Sequence, residues 1–141
     1  MKVLVTGATG FTGGWLARHL VAEGDDVRAL IRPSANGRTS GLRDLGVELV
    51  SGDLGDPEAL RGACDGVTVV YHIAASYRTA GQPASVYREV NVQGTDRLLK
   101  AAAAARVVRV VHCSTGGVHG HIESPPATED APLAPGDIYQ A

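Results

Sequence analysis

The chain is most constrained by Gly7-Ala8-Thr9-Gly10-Phe11-Thr12-Gly13, which follows an apolar run directly and precedes an amphipathic segment directly. A strand that turns into a helix this abruptly needs backbone without Cβ, and the helix N-terminus brings unpaired N–H groups and a partial positive charge. A pyrophosphate that must approach the main chain closely satisfies all of these conditions, so the segment reads as a dinucleotide-binding turn. A glycine-rich turn without a ligand is the plainer alternative. The flanking strand and helix, which the fingerprint requires, weigh against it. The spacing is Gly-x-x-Gly-x-x-Gly, one residue longer at its start than the commoner dehydrogenase form.

Beyond the turn, short β-branched runs alternate with helical patterns, which points to a parallel sheet covered on both faces. Strands are expected at residues 2–6, 26–31, 47–50, 67–73 and 107–113, each nearly continuous in Val, Leu and Ile as if buried on both faces. A crossover helix is expected at 12–23, with Trp15, Leu16, His19 and Leu20 on its inner face and Gly24 as its stop. Asp56 before Pro57 predicts an N-cap and a short helix to Cys64. A longer helix should begin at Pro83 or Ala84 and end at Arg106, with Gly94 marking close packing inside it. Residues 32–46 read as loop with one helical turn. Residues 114–137, dense in proline and glycine, read as a long ordered loop over a site.

Bulk properties narrow the function. The 141 residues suit one domain, and 44% hydrophobic with 20% charged residues is ordinary globular composition. A net charge of −2 argues against nucleic acid as a partner. Cys64 and Cys113 cannot make a disulfide framework and no pair stands at zinc-ligand spacing, so a reducing compartment is expected. The opening MKVLVTGATG fits neither a signal peptide nor a membrane span, so a cytoplasmic protein without a membrane partner is expected.

The glycine turn, GDL at 52–54, HIAA at 72–75, NVQGT at 91–95 and VVHCSTGGVHG at 110–120 leading to Tyr139 occur in an order that resembles the extended short-chain dehydrogenase/reductase family, also called the NAD-dependent epimerase/dehydratase family. The likeness covers nearly the whole chain. It implies an α/β fold with a doubly wound parallel sheet (Rossmann fold), five strands in order 3-2-1-4-5, incomplete at the C-terminus. Residues 1–141 would then be a partial NAD(P)-binding domain, with further strands and a substrate-binding part beyond it. By this resemblance Gly7, Gly10, Phe11, Thr12 and Gly13 cradle the pyrophosphate, Asp53 and Leu54 contact adenine, and Ala74 and Ala75 line the cofactor groove. Tyr77 and Asn91 are softer transfers.

Plainer roles exist for several of these residues: Asp53 could cap a turn, Asn91 could satisfy buried backbone, and the alanines could be small only for packing. At the end of the second strand, where a carboxylate would hold the ribose hydroxyls of NAD, the chain has Arg32. A guanidinium cannot accept those bonds but can stack on adenine or fork a 2′-phosphate, so NADP(H) is favoured over NAD(H), with both open and a solvated arginine as the plainer alternative.

The family's chemistry interconverts alcohol and ketone, with a tyrosine as proton donor or acceptor, a lysine four residues later, and a serine or threonine on the substrate oxygen. A free tyrosine titrates near pH 10, so the ammonium and the cofactor's cationic ring are needed to make it useful. The match places Thr115 at the hydroxyl position with Ser114 beside it, and Tyr139 as the tyrosine, 24 residues after Thr115. The lysine position, 143, falls two residues past Ala141, so the chain is expected to be a fragment without turnover of its own. The substrate would be a small molecule, a nucleotide-sugar or a hydroxysteroid- or dihydroflavonol-like alcohol or ketone, and the complete protein could be a homodimer. The alternative is a non-catalytic NAD(P)-binding sensor or scaffold. His72, His112, His119 and His121 fix no metal-ligand spacing and are expected to be ordinary histidines, and Cys113 is expected to pack at a buried strand end.

Overall fold

A computed structural model describes residues 1–35, 39–77, 79–123 and 125–140. Five parallel strands, β1 (Lys2–Thr6), β2 (Asp26–Ile31), β3 (Glu48–Ser51), β4 (Val69–His72) and β5 (Arg109–His112), form one sheet in the order β3-β2-β1-β4-β5. The register aligns strand ends: Thr6 pairs with Leu30 on one side and His72 on the other, and His72 pairs with His112. The loops after β1, β4 and β5 therefore leave one edge of the sheet, where open α/β sheets bind ligands.

Helices α1 (Phe11–Ala22), α2 (Ser40–Asp44), α3 (Pro57–Cys64), α4 (Ala84–Tyr87) and α5 (Gly94–Ala104) cover the sheet. Two apolar clusters lie on its faces. One joins Leu4, Leu30 and Val70 to Leu60 of α3 and Leu98 of α5, and the other joins Val3, Val5 and Ala29 to Ala17 and Leu20 of α1. Asp56 caps α3 as its sequence predicts, accepting from the N–H groups of Glu58 and Ala59 at 3.0 Å each. The other end of α3 is held from the sheet. Buried Arg28 on β2 donates to the carbonyls of Gly62, Ala63 and Asp65 at 2.8–3.1 Å and pairs with Glu48 at 2.9 Å. That guanidinium holds the Glu48 carboxyl below the usual carboxylate range.

Several sequence expectations need correction. Strands three, four and five are shorter than their apolar runs. Val47 donates its N–H to Leu42 and Val107 donates to Ala102, each closing the end of the preceding helix, while Val67 donates to Cys64 in the turn after α3. The edge position of β3 and β5 also leaves them more exposed than runs of Val and Leu suggest, with Val111 and His112 open. Cys113 is accordingly exposed rather than packed at a buried strand end. In α1 the inner face is Gly13, Ala17 and Leu20, with Leu16 half-buried, whereas Trp15 and His19 are exposed. Packing close to the glycine turn selects small residues for that face. The long helix is interrupted by a wide π-helical stretch, Arg88–Gln93, between α4 and α5. Gly94 follows it, and a Cβ there would stand 2.8 Å from Leu54 Cβ, so the close packing that glycine predicted is present.

Candidate functional site

The glycine turn leaves the end of β1 and enters α1 with Gly10 as N-cap and no side-chain cap. Gly7 sits at φ +74°, and a Cβ on it would press to 2.8 Å from the Ala74 nitrogen, against the loop after β4. A Cβ on Gly13 would lie 2.3 Å from the Gly7 carbonyl oxygen. Both glycines are demanded by geometry. The Gly10 N–H closes the turn on the Gly7 carbonyl at 2.9 Å, so the amides of Phe11, Thr12 and Gly13, which have no acceptor inside the helix, form its open positive end. No acidic residue stands in the first turn. The cradle thus fits a dinucleotide pyrophosphate: close-approach backbone, three amides and no competing carboxylate.

Around this turn the other sequence-selected residues separate by role. Asp53 is exposed, and its Oδ1 accepts from the Gly55 N–H at 2.7 Å, so the turn-capping alternative describes its observed bond. Leu54 is buried in the core beneath Gly94, which leaves only its backbone to the loop. Arg32 is exposed at the carboxyl end of β2, just before the 3₁₀ turn Pro33–Ala35.

A cleft of about 330 Å³ opens between the loops after β4 and β5. It brings together Ala74, Ala75, Asn91, Ser114, Thr115 and Tyr139 of the sequence-selected set. Thr115 caps the 3₁₀ turn Gly116–His119, its Oγ1 accepting from the Gly117 N–H at 3.2 Å. Tyr139 is positioned by Asp137, whose Oδ1 accepts from the N–H groups of Tyr139 at 2.9 Å and Gln140 at 3.0 Å. Tyr77 packs beside Tyr139, the two rings meeting edge-on with centroids 5.0 Å apart. Asn91 lies in the wide helical stretch and grips the Ser76 peptide from both sides, accepting from its N–H at 2.7 Å and donating to its carbonyl at 3.1 Å. The backbone-satisfying role is the one its side chain performs.

Four residues that sequence reasoning did not select organise this cleft. His72 is almost fully buried at the end of β4. Its Nδ1 meets Thr6 Oγ1 at 2.7 Å and its Nε2 meets Thr95 Oγ1 at 2.9 Å. Thr95 in turn donates to the Asn91 carbonyl at 2.6 Å, and Thr6 Oγ1 receives the Ala74 N–H at 3.2 Å. Burial first, and then the neighbouring His112 with its ring centroid 5.1 Å away, lower the His72 pKa to about 4. Asp137 is the fourth. Its signal was present in the sequence as an Asp two residues before the tyrosine, the spacing at which a carboxylate caps a turn. No signal marks Thr6 and Thr95, because their partner is 66 or 23 residues away.

Comparison with known proteins agrees with this architecture. The NAD dependent epimerase/dehydratase family matches residues 3–141. The chain is 39% identical over 99% of its length to the sterol demethylase protein B of Methylococcus capsulatus, covering 43% of that protein. It is 37% identical over its whole length to a 2-alkyl-3-oxoalkanoate reductase of Stenotrophomonas maltophilia, covering 42% of it. The chain therefore spans less than half the length of these relatives. A crystal structure of a short-chain dehydrogenase/reductase superfamily protein from Agrobacterium tumefaciens with bound NAD superposes with a TM-score of 0.84 at 38% identity, over 99% of this chain and 41% of that one. Among the described residues no helix is long and apolar enough to cross a membrane. With its matched residues, its strand order and its glycine turn in agreement, the chain belongs to the NAD-dependent epimerase/dehydratase family.

Proposed function

We propose that this chain is the cofactor-binding part of an NAD(P)-dependent enzyme that moves hydride to or from an alcohol or ketone carbon. The observation that carries the reading is the juxtaposition of the uncapped glycine turn with a cleft that gathers Ser114, Thr115 and Tyr139. In it the Phe11, Thr12 and Gly13 amides hold the pyrophosphate, the Asp53–Leu54 loop meets adenine, and Ala74 and Ala75 form the small-residue wall of the groove. The cofactor, when bound, supplies the hydride acceptor or donor.

The chain's own residues handle the proton. Thr115 Oγ1 already accepts from the Gly117 N–H, so its own hydroxyl proton is free to be given to a substrate oxygen. The Tyr139 hydroxyl moves the proton at that same oxygen, and Ser114 stands beside Thr115 as a second donor. The substrate class we assign is a secondary alcohol or ketone on a nucleotide-sugar or a hydroxysteroid- or dihydroflavonol-like skeleton. In the full-length protein, single-turnover kinetics followed at the nicotinamide absorbance should show a loss of about 10²–10⁴-fold on Tyr139→Phe with cofactor affinity retained. Cofactor binding without turnover on a panel of both substrate types would favour a sensor instead, and full activity in Tyr139→Phe would overturn the assignment.

A further inference from the structure

His72 is a buried titratable side chain that proton transfer at the substrate does not use. We propose that it is a positioning residue of the cofactor groove: as the neutral Nε2–H tautomer it ties the end of β1 to Asn91 in the wide helical stretch, fixing the Ala74 peptide, which lines the cleft, and the Ser76 peptide two residues on. The inference rests on the reading of that cleft as the dinucleotide site.

The proton assignment follows from counting. Thr95 has one hydroxyl proton, and it is spent on the Asn91 carbonyl, which can only accept. Toward His72, Thr95 Oγ1 can therefore only accept, so Nε2 carries a hydrogen. On the other side the Ala74 N–H can only donate, and it occupies a lone pair of Thr6 Oγ1. A bare Nδ1 then takes the Thr6 hydroxyl proton, and every hydroxyl and ring nitrogen in this run has a partner. A doubly protonated ring would point its Nδ1–H at Thr6 Oγ1, which already receives the Ala74 N–H, and strand the Thr6 hydroxyl proton in the interior.

The consequences reach the site from both ends. Thr6 precedes Gly7, and the Ala74 nitrogen it holds is the atom a Gly7 Cβ would strike. At the far end, Asn91 clamps Ser76 through both atoms of its amide. One continuous run of hydrogen bonds thus crosses from the glycine turn to the loop after β4 and on to the wide helical stretch. Thr6 is buried and does not line the cleft, so it can be altered without touching a ligand.

The test uses the full-length protein with ¹⁵N-labelled histidine. Two-bond ¹⁵N–¹H correlation spectra should show His72 only as the Nε2–H tautomer between about pH 5.5 and 8. Thr6→Val keeps the shape and removes the hydroxyl, whereas Thr6→Ser keeps it. Thr6→Val should speed Ala74 amide exchange and weaken NAD binding by calorimetry about tenfold each, and Thr6→Ser should restore both to within about twofold. An Nδ1–H tautomer or a mixture in the unaltered protein overturns the proposal, and that measurement needs no variant to fold. Unchanged NAD affinity in Thr6→Val overturns the positioning role. If the unaltered protein binds neither NAD nor NADP, the cofactor reading fails, while the tautomer and exchange results still decide the hydrogen-bonded run.

Discussion

A single methyl group at position 13 measures how tightly the cofactor cradle is built. Its Cβ would sit 2.3 Å from a backbone oxygen, which cannot rotate away as a side chain would, so the Gly7–Gly10 turn itself must move. Gly13→Ala should therefore reduce NAD affinity at least about tenfold by calorimetry, and undiminished affinity would mean that the turn is not the phosphate site. His72 makes a second residue-scale prediction. Its folded pKa of about 4 lies below the ordinary histidine value, so the unfolded chain binds the extra proton first as pH falls. Stability should be level above about pH 7 and fall by about 1.4 kcal/mol per pH unit between about pH 6 and 4, a slope that disappears in a folded His72→Gln variant. Urea titrations at pH 7 and 5.5, above most carboxylate titration, read it. His112 faces the same ring, its centroid 5.1 Å away. The glycines were legible in the sequence because their requirement is local. The role of His72 was not, because both its partners come from distant segments.

Helix ends were the most readable elements, and they also explain where strand boundaries failed. Asp56, Pro57 and the helix they start were visible as a local code, and the same code predicts that Asp56→Ala costs about 1 kcal/mol in chemical denaturation. A change below a few tenths would show that the two amides find other acceptors. Gly24, Gly46 and Arg106 all adopt positive φ just past a helix; Gly24 was read as a stop, Arg106 as the last residue of its helix, and Gly46 as neither. Arginine at φ +58° gives no sequence warning, since most residues avoid that conformation. The apolar runs then overstate the strands, because Val47 and Val107 serve the helix terminus before the sheet begins. The wide stretch Arg88–Gln93 was likewise hidden. The sequence reading carried one helix through it, whereas in the structure Asn91 within it bonds Ser76 and Gly94 after it packs against Leu54.

At the scale of the whole molecule, the parallel sheet delivers its strand ends to one edge, and the cofactor assignment can be tested by what binding does to the entire fold. A ligand that binds only the native state stabilises it by about 2.7 kcal/mol at a hundredfold excess over its Kd, so thermal shift ranks cofactors without a known substrate. Arg32 should decide the ranking. It stands exposed at the carboxyl end of β2, where a carboxylate would favour the ribose hydroxyls and a guanidinium favours a 2′-phosphate. The full-length protein should thus gain more stability from NADP(H) than from NAD(H) at equal concentration. Arg32→Asp removes the fork and puts a negative charge toward the phosphate, so it should reverse the order, with each tenfold change in relative affinity appearing as about 1.4 kcal/mol. The glycine turn and the cleft are untouched by this substitution, so loss of both cofactors would point to misfolding and a reversed order to recognition at the strand end. An unaltered protein that prefers NAD(H), or a ratio that does not move in Arg32→Asp, would show that this guanidinium takes no part in choosing the cofactor.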